Sequence, residues 1–483
     1  MSTPAMGAPP GGELAPAHDQ HPPQSLWTTL REAVRGSHRD LTTAPLGTAI
    51  LLLAVPMVLE MAMESVFAVV DVFFVARLGA AAVATVGITE SMLALIYTIA
   101  MGLSIGATAT VARRIGEGDR EAAAHSAAQA LLLGIGVAIV LGVAGGLAAP
   151  SLLAAMGATP EILAIGTNYT RIMLGGNIAI LMLFLINACF RGAGDAAIAM
   201  RVLWLANFCN IVLAPCFIFG LGPFPELGVT GAAVATTTGR SIGVLFAGWR
   251  LLRGDGRIAV ARRHWKLDPA LMGRIARLST TGTFQILIGT ASWIVLVRIL
   301  TTFGAAAVAG YTIGMRVIVF AILPSFGMSN AAATLVGQSL GAKKPDRAEQ
   351  AVYRAGKYNM VFLGALGVVF VVFAPLIVSI FTRDPEIARY ASDCLRVVAL
   401  GFLLYGWGMV LSQALNGAGD TRSPTVINFF VFWLFELPLA WTLAKPLGIG
   451  PHGVFIAIML AFSLYAVAAW FVFRRGRWKT ARV

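Results

Sequence analysis

Three acidic residues stand inside a stretch otherwise apolar enough to span a bilayer: Glu60, Glu64 and Asp71 in PMVLEMAMESVFAVVDVFFVARLG, from Pro56 to Gly79. At about 100° per residue, Glu60 and Glu64 lie one turn apart and Asp71 returns to nearly the same angle two turns later, so the three share one helix face. Charge at membrane depth is rare, faces a bundle interior or a watery cavity, and by default marks a proton or ion path. Each acid also has a plainer reading, in which a basic neighbour neutralises it and the pair only holds helices together. Clustered carboxylates in a low-dielectric wall repel one another and lose solvation, which works against all of them ionising at once and favours proton coupling over sodium.

Other residues carry the same kind of signal more weakly. Glu90 lies one helix on in GITESMLALIYTIAMG, where it faces either a cleft near the external side or the interface. Glu436 stands in FFVFWLFELPLAW beside Trp433 and Pro438. An acid flanked by Trp and Phe is how a cavity recognises an organic cation, by charge and cation–π attraction, although aromatic residues in spans also serve as plain packing. Met61, with Met57, Met63, Met92 and Met101, offers soft surface to a promiscuous cavity or simply fills core. Arg240, Arg298 and Arg316 read as structural counterions, because an unpaired charge at the bilayer centre costs at least ~2.5 kcal/mol.

The surrounding composition decides what these residues sit in. The chain has 483 residues, 58% hydrophobic and 12% charged, which is far more apolar than a soluble domain. Ala127 to Pro150 is an uncharged run, and about 20 such residues cross the hydrocarbon. Similar runs recur to give an expected twelve spans. The fold class is therefore an all-α polytopic membrane protein. Cys189, Cys209, Cys216 and Cys394 lie in apolar segments without CxxC spacing, and the His residues form no HExxH pair. No GxxxxGK[ST] loop is present, so neither an ATPase nor a metalloenzyme is expected, nor any cofactor.

The net charge of +13 is topological rather than a mark of nucleic-acid binding. With the amino terminus inside and twelve spans, 27 of the 36 Lys and Arg fall on inside segments, which puts both termini in the cytoplasm.

Internal repetition organises the chain. Gly79-Ala-Ala-Ala-Val-Ala84 recurs as Gly304-Ala-Ala-Ala-Val-Ala309, an offset of 225. The same offset pairs Gly102 with Gly327, Gly116 with Gly341, Pro150 with Pro375, and Gly192-Ala-Gly-Asp195 with Gly417-Ala-Gly-Asp420. Six spans per half is an even number, so the two pseudo-symmetric six-helix lobes are parallel repeats about an axis along the membrane normal. The expected organisation is a disordered tail (1–24), an N-lobe with helices 1–6 (25–249), a basic cytoplasmic linker (250–271), a C-lobe with helices 7–12 (272–474) and a basic tail (475–483). A basic stretch before the first span, SLWTTLREAVRGSHRD, reads as an interfacial helix with Trp27 at headgroup level. In the GAGD loops, Gly serves a tight turn and Asp is suited to capping the next helix.

These features together resemble the multidrug and toxic compound extrusion family, the MATE transporters, with DinF-like and NorM-like members. The matching residues are Pro56 with Asp71 in VVDVFFVARLG, then GATATVARRIGEGD, FRGAGD, ANFCNIVLAP and LGVTGAAVAT, and in the second half AAATLVGQSLGAKKPDRAE and NGAGD. The resemblance implies efflux of bulky cationic or amphipathic compounds coupled to proton or sodium entry. It implies that Asp71 is the first-helix coupling aspartate and Asn210 the fifth-helix asparagine beside it. Two of the first-helix carboxylates with Asn210 would also suffice to cage sodium. The next family acid is replaced by Ala214, and the seventh-helix Glu and tenth-helix Asp of NorM-like members fall on Gly289 and Tyr405. Coupling is therefore expected in the first lobe, with a substrate cavity near Glu436, Trp433, Glu90, Tyr405 and Met61. The expected protein is a monomeric antiporter of the bacterial inner membrane, with small amphipathic or cationic compounds and membrane lipid as its partners. A flippase for a lipid-linked saccharide is the rival, although it would want a cationic cavity; a scaffold or receptor would need neither the repeat nor the buried acids.

Overall fold

The computed structural model describes residues 25–37, 39–254 and 256–481. The tail expected at 1–24 and the last two residues of the chain lie outside the described residues. Among the described residues there is no strand.

A short helix, α1 (Leu26–Arg35), precedes the bundle. The first half follows as α2 (Leu46–Ala76), α3 (Ala80–Gly116), α4 (Arg120–Ala155), α5 (Pro160–Gly175), α6 (Asn177–Ala193), α7 (Ala196–Phe219) and α8 (Val229–Arg253). The second half comprises α9 (Pro269–Leu300), α10 (Ala305–Gly341), α11 (Pro345–Ser379), α12 (Pro385–Ala399), α13 (Phe402–Ala418), α14 (Arg422–Asn428), α15 (Leu437–Ala444) and α16 (Pro451–Arg474). A π-helical stretch, Phe429–Glu436, joins α14 to α15 into one rod. The connection between halves is shorter than 250–271, because α8 continues to Arg253 and Pro269 opens α9.

Among the described residues ten helical rods, α5 with α6 and α14 with α15 each counting as one, are long and apolar enough to cross a membrane, and the pair α12 and α13, bent by 58°, makes an eleventh. Helix α8 is the least apolar of the long rods. That helix has 25 residues, a sufficient length, but Thr236–Thr238, Arg240 and Ser241 lower its apolar content. It nevertheless packs as a rod of the first half against α5, α6 and α7.

Local chemistry sets the helix ends. The Asp119 and Asp268 carboxylates accept from Ala122 N at 2.8 Å and Leu271 N at 3.0 Å, capping α4 and α9. Gly194 and Gly419, both at φ 92°, close α6 and α13 in the left-handed region. The aspartates that follow differ. Asp420 accepts the Ser423 N–H at 3.1 Å, whereas Asp195 does not cap α7 and instead accepts the Arg257 backbone N–H at 2.6 Å.

The repeat offset of 225 is realised in space. A Cβ on Gly116 would collide with the Gln338 carbonyl, and one on Gly341 with the Arg113 carbonyl; the two pairs are the same contact with the halves exchanged. Gly102 against Thr283 and Gly327 against Val58 form a second exchanged pair. The halves are therefore related by a near two-fold rotation whose axis runs between α3 and α10. The hydrogen bonds joining them cluster at the basic end of the bundle. There Arg113 Nη2 donates to Ala481 O at 2.7 Å, Gln338 Nε2 to Gly192 O at 2.9 Å and Thr334 Oγ1 to Arg191 O at 3.2 Å.

Candidate functional site

The shared acid face of α2 divides into two environments. Glu60 is 2% exposed and receives Arg191 Nη1 at 2.7 Å and Asn187 Nδ2 at 3.3 Å, both from α6. This is the structural ion pair that the sequence left open as the plainer reading, and it withdraws Glu60 from the open face. Glu64, one turn on, receives Asn207 Nδ2 at 3.1 Å from α7. Asp71 is half-buried, and its electrostatic neighbours are Glu90 of α3 and Arg240 of α8.

Arg240 is the element around which the rest of the site is arranged. It is 7% exposed, its Nη1 has no hydrogen-bond partner, and its guanidinium lies 5.5 Å from the centre of the Tyr97 ring. Glu64 and Asp71 both act on it, yet among the described residues no carboxylate comes within 4 Å to pair with it. Tyr169 of α5 completes the group, within reach of Asp71, Glu90, Tyr97 and Arg240. Helices α2, α3, α5, α7 and α8 of the first half each contribute to this set, and Arg316 of α10, from the second half, is the guanidinium that acts on Glu90. With Glu64, Asp71 and Glu90 all ionised against Arg240 and Arg316, that set would carry a surplus of one negative charge, which a proton or cation can satisfy.

Asn210 lies one layer back, its Nδ2 donating to Thr236 Oγ1 at 2.8 Å. Thr236 stands one turn before Arg240 on α8, so this bond fixes the helix face that carries the guanidinium. Asn207, not Asn210, is the asparagine that reaches an α2 acid. Ala214 is buried and apolar where the family acid was sought. Met61 is half-buried on α2.

In the second half the expected cavity residues sit elsewhere. Glu436 is 1% exposed, closes the π-helical stretch, and leaves Oε2 without a partner. It lies near the Tyr311 and Tyr405 rings inside the aromatic core, not on an open wall. Tyr405 stacks on Phe462 at 4.0 Å, and Trp433 Nε1 donates to Ile288 O at 2.9 Å. A Cβ on Gly289 would meet nothing within 4 Å, so space exists there without an acid to fill it. Among the described residues no group of three His, Cys, Asp or Glu could hold a metal ion.

The sequence missed Asn207, Arg191 and Tyr169 as partners of the acids. Asn207 had a findable signal, since it lies one turn before Asn210 in the same motif; Arg191 counted only as a topological charge.

A family model described as MatE matches residues 56–216 and 283–442. The chain is 26% identical over 434 residues to a probable multidrug resistance protein NorM of Thermotoga maritima, covering 89% of this chain and 93% of that protein. It is 27% identical to an FAD transporter of Shewanella oneidensis over 90% of this chain and 96% of that one. The fold superimposes on a solved outward-facing conformation of a multidrug resistance MATE family transporter with a TM-score of 0.85, at 27% identity, covering 91% of this chain and 98% of that chain.

Proposed function

The chain belongs to the MatE family, and from that premise we propose that it is a secondary-active antiporter exporting amphipathic, cationic compounds in exchange for protons, with sodium as the alternative coupling ion. The observation that carries this reading is the excess of carboxylates at the site, Glu64, Asp71 and Glu90 against the guanidiniums of Arg240 and Arg316. Asp71 is the coupling group. It is the acid of α2 without a hydrogen-bond partner of its own, and proton uptake there removes the surplus that Arg240 and Arg316 leave uncancelled. Glu64, held by Asn207, and Glu90 share the site, and Asn210 acts through Thr236 and α8. Glu60 is structural.

Alternating access follows from the exchanged glycine contacts. Tight packing at the basic end closes the cytoplasmic side in this conformation, and rocking of the two lobes about an axis in the membrane plane opens it. Both termini are cytoplasmic, the membrane is a bacterial inner membrane, and the monomer is the working unit.

The relative named for FAD raises an anionic substrate, and the partnerless Nη1 of Arg240 is the observation in its favour; the excess of carboxylates weighs against it. Purified protein in proteoliposomes, with a fluorescent organic cation and with FAD, and with proton and sodium gradients imposed separately, distinguishes these. Cation movement driven by the proton gradient alone is the expected result. FAD movement without cation movement would replace the reading.

A further inference from the structure

At the basic end, a crevice of about 70 Å³ opens between α1, the start of α7 and the connection after α8. Its floor is neutral, because the Asp195 carboxylate is met by the Arg257 backbone N–H at 2.6 Å and by Arg257 Nε at 3.6 Å. Its rim carries Arg35 and Arg201. Arg201 commits Nη2 to the Val34 and Arg35 carbonyls at 3.0 and 2.5 Å, which ties α1 to α7 and leaves its other nitrogens for a ligand.

Beyond Arg201 the same face of α7 continues as Trp204, Phe208 and Val212, all exposed, with Phe208 at 62%. The outer side of α1 is also apolar, with Trp27 at 74% exposure beside Leu26. A cationic crevice at one end of an exposed apolar stripe has the shape of a headgroup above an acyl chain. We propose that the crevice binds the phosphate of an acidic phospholipid from the leaflet at the basic end, with one acyl chain lying along Trp204, Phe208 and Val212. The basic end carries the charge bias that acidic leaflets attract. Bound lipid would clamp α1 against α7, next to the rod that holds Asn207 and Asn210.

The site is tested on the full chain, by native mass spectrometry of protein taken from mixed phosphatidylcholine and phosphatidylglycerol vesicles. Phosphatidylglycerol should be retained in preference. Arg35→Gln should weaken that retention roughly fivefold, and Phe208→Ser should weaken it while leaving any stabilisation by inorganic phosphate unchanged. Arg201→Gln removes charge but also frees α1, so the Arg35 variant decides. Equal retention of both lipids, or undiminished phosphatidylglycerol in Arg35→Gln, overturns the proposal. Stabilisation by inorganic phosphate matching that of phosphatidylglycerol overturns it in favour of a free-anion site.

Discussion

The two halves share a packing scheme and differ in what they do with charge. Glu60 and Asn187 of the first half correspond, by the offset of 225, to Gln285 and Ser412 of the second. Both pairs are in contact, at 3.3 Å and 3.5 Å. The first is ionic and completed by Arg191; the second is neutral. Further out, the first half gathers Glu64 and Asp71 of α2, Glu90 of α3 and Arg240 of α8, whereas the second offers an empty position at Gly289 and Glu436 sealed near tyrosines. Backbone complementarity thus repeats faithfully because either lobe must pack against the other, while titratable chemistry is needed only once and is free to diverge.

Asp71→Asn should break this comparison most severely. It removes a proton-binding group at nearly constant volume, so gradient-driven efflux should fall to the level of empty vesicles while the protein still folds. Normal transport by this variant would move the coupling group to Glu90 or to the second half.

Next in size is the difference between the corresponding pairs. Arg191→Gln leaves Glu60 buried and uncompensated and should cost about 3–5 kcal/mol, whereas Gln285→Ala should cost about 1–3 kcal/mol. Thermal unfolding in detergent measures both, and equal losses would mean that the ion pair is no more than a polar contact.

The exchanged glycines sharpen the symmetric side of the comparison. Gly116→Ala and Gly341→Ala each drive a methyl into a carbonyl of the opposite half, and each should weaken closure of the basic end by roughly 1–3 kcal/mol. Spin-label distances across that end should shift alike in both variants. An effect confined to one would show that the two-fold relation is only approximate in energy.

The smallest effect is expected at Glu436. Buried away from the cavity, Glu436→Gln should leave the ratio of cation to neutral-compound export unchanged and alter stability by no more than about 1 kcal/mol. Selective loss of cation export would return it to the substrate path.

Much of the architecture was legible because it is periodic. The register of 225 needed only glycines and prolines at fixed spacing, and the acid face of α2 followed from the helical period. What the sequence could not supply were pairings between distant segments. Arg191 stands 131 residues from Glu60 and Asn207 143 from Glu64, and only tertiary packing decides which side chains meet. The burial of Glu436 was hidden for a related reason: a π-helical stretch changes which face an aromatic-flanked acid presents, and no local signal in FFVFWLFE marks it.

The glycine contacts between α3 and α10 have one more consequence. When Gly116 meets Gln338 while Gly341 meets Arg113, the surface is isologous in the sense used for homodimers, the same patch serving both partners. The chain is in effect a two-fold dimer of a six-rod module whose subunits are fused through the segment after Arg253. A cut in that segment would leave two polypeptides that still carry the complete instructions for finding each other.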